Sequence, residues 1–403
     1  MEGKKKLRAI SVDLLWSIAA MVALNATIQF ILYPQLHALT SDAIFGDILT
    51  LLSVISIISS SFGSAANYSR MLASSKNRAP SSDYLKFLFL TGIACTPLLL
   101  IALNTLGNLS LRTMVLYSVL MLVSLLRYYC DVEYRLHLDY RKYFLYYFFV
   151  ALGYTIGLLI FREAEQWYDV LILGEVCALL FAALTSPVFR GYSVSKSECF
   201  GINCAGWMQL SISNLIANGV LNADRILIRY LIGGSAVTVF YVATLMGKVI
   251  SMISTPLNGV IIGYITKYKK QINGKAIQFV GLVSLIITPL LGIVCVLGTE
   301  MIIPILYPGV LDDNLTFVFL ACLGQVLYFI SNTLMVFIMK MYSEKMALWI
   351  SIGYGVLFFM TAVPMTIGFG LMGMAEAVLI VNAIKMGVIL YLAYRMRERL
   401  ADS

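Results

Sequence analysis

The sequence predicts an all-α membrane protein, with twelve transmembrane helices in two pseudo-symmetric six-helix lobes. Three observations carry that prediction: a composition suited to lipid, a series of apolar windows each long enough to cross a bilayer, and an alternation of basic and non-basic loops. The 403 residues are 60% hydrophobic and 12% charged, with a mean hydropathy of +0.87. Soluble globular chains carry about 25% charged residues. This composition excludes a soluble enzyme, a disordered tail protein and a free nucleic-acid binder, and it makes lipid the main solvent of the chain.

About 20 apolar residues in a helix cross a hydrocarbon core of roughly 30 Å. Twelve such windows run from Val12 to Tyr33, Ala43 to Tyr68, Tyr84 to Leu106, Arg112 to Cys130, Tyr143 to Phe161, Tyr168 to Phe189, Asn203 to Ile232, Ala236 to Ile265, Ala276 to Gly298, Asn314 to Met339, Met346 to Ile367 and Gly373 to Tyr394. They are continuously apolar, whereas the strands of a membrane barrel alternate over about 10 residues, so helices are the expected form. The amino end, Lys4-Lys5-Lys6-Leu7-Arg8 before the first window, imitates a secretory signal. No small-residue cleavage site follows it, so a retained signal-anchor helix is expected.

Orientation follows from the cations. With a cytoplasmic amino terminus, the inside segments hold Lys4, Lys5, Lys6, Arg8, Arg70, Lys76, Arg78, Lys86, Arg135, Arg141, Lys142, Arg190, Lys196, Lys267, Lys269, Lys270, Lys275, Lys340, Lys345, Arg395, Arg397 and Arg399. Only Arg112 and Arg162 fall at the outer loops. This asymmetry places both termini in the cytoplasm. It also accounts for the net charge of +8 through contact with anionic lipid heads rather than nucleic acid.

The Ser-rich connector Gly191 to Glu198 divides the chain into an amino-terminal half, 1–200, and a carboxyl-terminal half, 201–403, of six helices each. The pair of helices around Tyr33 and Ala43 is echoed by the pair around Tyr230 and the Gly233-Gly234 turn, in the same direction. Such a parallel repeat predicts two lobes about an axis along the membrane normal, and with them alternating access.

Polar residues inside the windows are the candidate site. In the seventh window, at ~100° per residue from Asn214, Ser211 falls at about 60°, Asn218 at about 40°, Asn222 at about 80°, Arg225 at about 20° and Arg229 at about 60°. Six hydrogen-bonding groups thus share one narrow face. A charge at bilayer depth costs at least ~2.5–3.5 kcal/mol, so the face is expected to line a wet cavity between the lobes. The alternative is that Arg229 snorkels and the asparagines join helices. Lys248 and Lys385 sit near mid-span and add positive field, unless either pairs with a buried acid and meets no ligand. An interior of this kind calls for an anionic ligand, a phosphate or diphosphate, which arginine grips as a planar fork and lysine as a point charge.

Four acids, Asp224, Glu175, Asp47 and Glu376, are candidates to carry a coupling proton or sodium ion, or are structural partners of the cations. In the first window Asn25, Gln29 and Tyr33 form an uncharged polar stripe. Arg112 and Arg127, near window ends, are expected to snorkel. Pro97, Pro256, Pro289 and Pro364 are expected to kink their helices.

No extramembrane segment is long enough for a catalytic domain. His37 and His137 lack nucleophile partners, and the phosphate-cradling loop of ATPases is absent, so the chain is expected not to be an enzyme and to need no cofactor. Gly368 to Gly373 matches the dinucleotide pattern only in its glycines, since no strand precedes it. The seven cysteines show no metal-like spacing and are expected to be free thiols.

Leu221-Asn-Ala-Asp-Arg-Ile-Leu-Ile-Arg-Tyr-Leu-Ile-Gly-Gly234, with Val239-Phe-Tyr-Val-Ala243 and Thr255-Pro-Leu-Asn-Gly259, resembles the start of the second half of bacterial polysaccharide flippases. These belong to the multidrug, oligosaccharidyl-lipid and polysaccharide exporter superfamily. Ile44 to Asp47 and Ile367 to Ala377 resemble the same family's second-helix entry and final glycine-rich turn. The resemblance implies export of a polyprenyl-diphosphate-linked oligosaccharide across the bacterial cytoplasmic membrane, with Arg225, Arg229 and Lys248 meeting diphosphate or sugar acids. The first helix lacks the buried arginines of the related peptidoglycan-precursor flippases, and no extra helix pair follows the twelfth. A drug or metabolite exporter of the same fold is the alternative, for which an acid-rich cavity would be expected. A scaffold or glycan polymerase is a third, for which a long external loop would be expected.

Overall fold

The computed structural model describes residues 2–74, 79–107, 110–163, 166–190, 192–193, 195–252, 274–311, 315–341 and 344–401. Its helices are α1 (Glu2–Thr27), α2 (Tyr33–Ala38), α3 (Asp42–Ser74), α4 (Ser81–Thr105), α5 (Leu111–Cys130), α6 (Val132–Leu136), α7 (Tyr140–Ile160), α8 (Trp167–Thr185), α9 (Phe200–Leu231), α10 (Gly234–Met252), α11 (Gly274–Leu306), α12 (Leu315–Met341) and α13 (Glu344–Ala401). Among the described residues nine helical stretches are long and apolar enough to span a membrane, and one of them, Trp349–Arg395, has 47 residues. That length suffices for two passes at about 20 residues each. The shorter apolar α10 and the polar-striped α9 bring the passes to twelve.

The helix ends have local causes. Ser110 caps α5 by accepting the Thr113 N–H at 3.1 Å, and Asp139 caps α7 by accepting that of Lys142 at 3.2 Å, which satisfies an otherwise orphaned donor. α13 folds back at Gly370, whose φ of 62° suits a residue without Cβ. Pro97, Pro289 and Pro364 lie inside α4, α11 and α13; Pro256, the Thr255 to Gly259 motif and the end of the eighth window lie outside the described residues. The first window does not stop at Tyr33: a π-helical turn, Ile28–Leu32, joins α1 to α2.

The chain forms two compact units. The first comprises Met1–Ser41 and Asp47–Ala223, the second Asp42–Gly46 and Asp224–Ser403. The boundary falls inside α9, not at the connector, because the connector and the start of α9 are bonded to α4 of the first unit. Fully buried Asp83 accepts from Ser197 and, at 3.3 Å, from Asn203, while Trp207 Nε1 donates to the Phe62 carbonyl at 3.2 Å. Within this unit α7 packs on α8 and α1, and α5 on α8 and α4.

In the second unit α12 is central, packed by α13, α10 and α11. The first turn of α3 belongs here too. Phe45 lies against Tyr241 and Tyr307, with ring centroids 6.1 and 6.2 Å apart, and Thr238 Oγ1 donates to the Asp42 carbonyl at 2.6 Å. Gly46 permits the approach, since a Cβ there would run into the Gly234 carbonyl. Gly46→Val is therefore expected to destabilise the protein by about 1–3 kcal/mol through overpacking. Thermal unfolding in detergent measures it, with Gly219→Ala, where a Cβ meets nothing, as the unaffected control.

Candidate functional site

The α9 stripe divides between the two units. Asn214 Nδ2 donates to the Ser61 carbonyl at 3.4 Å and Asn218 Nδ2 to Ser61 Oγ at 3.1 Å, so these asparagines join α9 to α3 in the first unit. Ser211 is buried. Asn222 Nδ2 turns back to the Asn218 carbonyl at 2.9 Å. Arg225 and Arg229 continue the same face in the second unit, both half-buried, while the adjacent Asp224, about 100° round the helix, is buried.

There α10 supplies a complement. Lys248 Nζ pairs with Asp224 Oδ2 at 3.1 Å, and the two side chains are only 14% and 7% exposed. The Arg225 guanidinium lies 5.3 Å from the centroid of the Tyr241 ring and Lys248 Nζ 5.9 Å from it. Aromatic faces attract cations electrostatically, more strongly where water is excluded, and Tyr241 is fully buried. Arg225 and Lys248 thus meet at one ring with Asp224 beside Lys248, and Arg229 follows one turn along α9.

Lys385, on the second arm of α13, is buried, as the sequence suggests. Its partner is an amide and not an acid: Nζ donates to Asn332 Oδ1 at 2.6 Å, and the rings of Tyr328 and Tyr354 lie 5.1 and 4.6 Å away. In the first helix Asn25 Nδ2 donates to the Met21 carbonyl at 2.9 Å, while Gln29 is buried inside the π-helical turn, an irregularity frequent at functional sites. Asp47 and Glu376 are both half-buried.

Arg127 corrects the sequence reading. It does not snorkel; it is 7% exposed and its Nε pairs with Glu175, 4% exposed. Glu175 Oε1 also accepts from Tyr154 at 3.0 Å and Ser124 at 3.3 Å. Arg127 looks close to a helix end only if the span stops at Cys130, but it continues through α6 to Leu136. A further buried pair, Arg70 with Glu133 at 2.5 Å, and a half-buried one, Arg135 with Asp131 at 3.0 Å, lie in the same unit. Arg112, by contrast, is exposed and 3.3 Å from Asp169.

No protein-family profile and no curated protein matches the chain. Solved structures do. An inward-facing multidrug resistance MATE family transporter of the MOP superfamily superposes with a TM-score of 0.69 at 11% identity, over 95% of this chain and 96% of that one. The lipid II flippase MurJ, in an inward closed conformation, gives 0.64 at 14% identity over 95% and 90%. The Vibrio cholerae MATE transporter VcmN gives 0.64 at 14% over 98% and 97%. The chain shares the fold of these proteins. With its apolar stretches, that fold makes it a multi-pass membrane protein of twelve helices.

Proposed function

We propose that the chain is a flippase that carries a polyprenyl-diphosphate-linked oligosaccharide repeat unit across the bacterial cytoplasmic membrane by alternating access, for surface polysaccharide assembly, with both termini cytoplasmic. Its partners are that lipid-linked sugar, the surrounding lipids and a coupling proton or sodium ion. Sugars and diphosphate do not cross hydrocarbon unaided, whereas a polyprenyl tail can stay in it. The observation that carries the reading is the meeting of two cations at Tyr241, where Arg225 and Lys248 approach one ring and Asp224 pairs with Lys248. The neighbours by fold support it, since they include a lipid II flippase.

Arg225→Ala and Lys248→Ala are each expected to lower glycan export about tenfold or more, the loss of one charged hydrogen bond of about 1.5–3 kcal/mol. Export in a complemented deletion strain measures this; undiminished export in both variants removes the cationic site. A second reading, an ion-coupled drug or metabolite exporter, is favoured by buried Asp224 and Glu175, carboxylates that could exchange a cationic partner for a proton or sodium ion. Drug-resistance profiling of the deletion separates the two: a flippase leaves the profile unchanged, whereas an exporter leaves the cell hypersensitive.

A further inference from the structure

The two arms of α13 flank an open cavity of about 710 Å³ whose lining includes Trp349, Gly353, Tyr354, Met360, Ile384 and Lys385. Lys385 is the one charged residue of a wall that is otherwise aliphatic, aromatic or glycine. Lys385 is 7% exposed, its ammonium held by the Asn332 amide oxygen and two tyrosine rings, and among the described residues no carboxylate pairs with it. A buried cation without a counter-charge is costly, and a ligand anion would relieve that cost. The rest of the wall suits hydrocarbon, as Met360 and Trp349 are among the most exposed large apolar side chains.

We propose that this slot binds a lipid phosphate, its head paired with Lys385 and its hydrocarbon laid along the Trp349 to Met360 wall. Charge complementarity selects this occupant: an ammonium beside an apolar wall matches a phosphate joined directly to a chain, and a zwitterionic head would bring a second cation beside Lys385. Lys385 lies ten residues before Arg395, about 15 Å along the helix, so the phosphate is drawn about half a hydrocarbon core below the charged helix end. A lipid at that depth is in transit between leaflets, and this last step rests on the flippase reading above.

Trp349 provides the probe. The purified full chain is titrated with phosphatidic acid brominated on its chains, and separately with phosphatidylcholine carrying the same chains. The Trp349→Phe variant is subtracted to isolate the quenching of this one residue. Phosphatidic acid is expected to quench at about fivefold lower concentration, the preference of one cation for an anionic lipid. Lys385→Met is expected to abolish that preference and Lys385→Arg to keep it. Gly353→Phe, at a position where a Cβ meets nothing, is expected to reduce quenching by both lipids by filling the slot without touching Lys385. Equal quenching by the two lipids, a preference that survives Lys385→Met, or reversal by inorganic phosphate alone would each overturn the site. A preserved preference in a chain that fails to export glycan counts against the oligosaccharide reading and leaves the lipid-phosphate site standing; a lost preference with export intact removes the site alone.

Discussion

Glu175→Ala is expected to lose about 3–5 kcal/mol of unfolding free energy, because it strands the Arg127 guanidinium in a buried site with no counter-charge. The substitution also removes the acceptor of Tyr154 and Ser124, and each unpaired buried donor adds a desolvation cost. Arg127→Met combined with Glu175→Leu is expected to recover most of the loss, since well-packed apolar pairs replace buried ion pairs at little cost and sometimes with gain. Thermal unfolding in detergent distinguishes the cases. A double variant as unstable as the single one would mean that the network's shape, not its charge balance, holds α5 to α8.

Lys248→Met is expected to be damaging for the same reason, leaving buried Asp224 without its ion-pair partner and with the Arg225 N–H as a remaining donor. Here the paired substitution Asp224→Asn with Lys248→Met separates structure from transport. Stability is expected to return, whereas glycan export is expected to stay low, because the proposed anion site has lost a cation. Normal export by the double variant would reduce the pair to a structural clasp and leave Arg225 and Arg229 as the cations of the site. The two ion pairs thus predict similar unfolding behaviour and different transport behaviour.

The helix plan was legible because lipid imposes it: a backbone in hydrocarbon must satisfy its own hydrogen bonds, so the apolar windows could only be spanning helices. The α9 stripe was legible for the related reason that asparagines and arginines at one angular position are too costly to leave facing acyl chains. Pairings between helices were not legible. Glu175 reaches Arg127 from 48 positions away in sequence and Lys385 reaches Asn332 from 53, and no local period links such residues. Likewise, helical counting assumes 3.6 residues per turn throughout, so it placed Asn25, Gln29 and Tyr33 on one stripe although a π-helical turn, closed by i to i+5 bonds, interrupts them. The split of the asparagine stripe at Ala223 also leaves no mark in the sequence, because helix propensity runs through it unbroken.

The placement of Phe45 sets an order of assembly. Asp42 and Thr238, which bond in the finished protein, are separated by 196 residues, so at synthesis rates of about 5–20 residues per second the first turn of α3 waits many seconds in the bilayer before its aromatic neighbours emerge from the ribosome. A polypeptide truncated at the connector would carry that turn with nothing to receive it, and a carboxyl-terminal fragment made alone would lack the ring that covers Tyr241 and Tyr307. Co-expressed as two pieces, the halves should therefore accumulate together and be degraded apart.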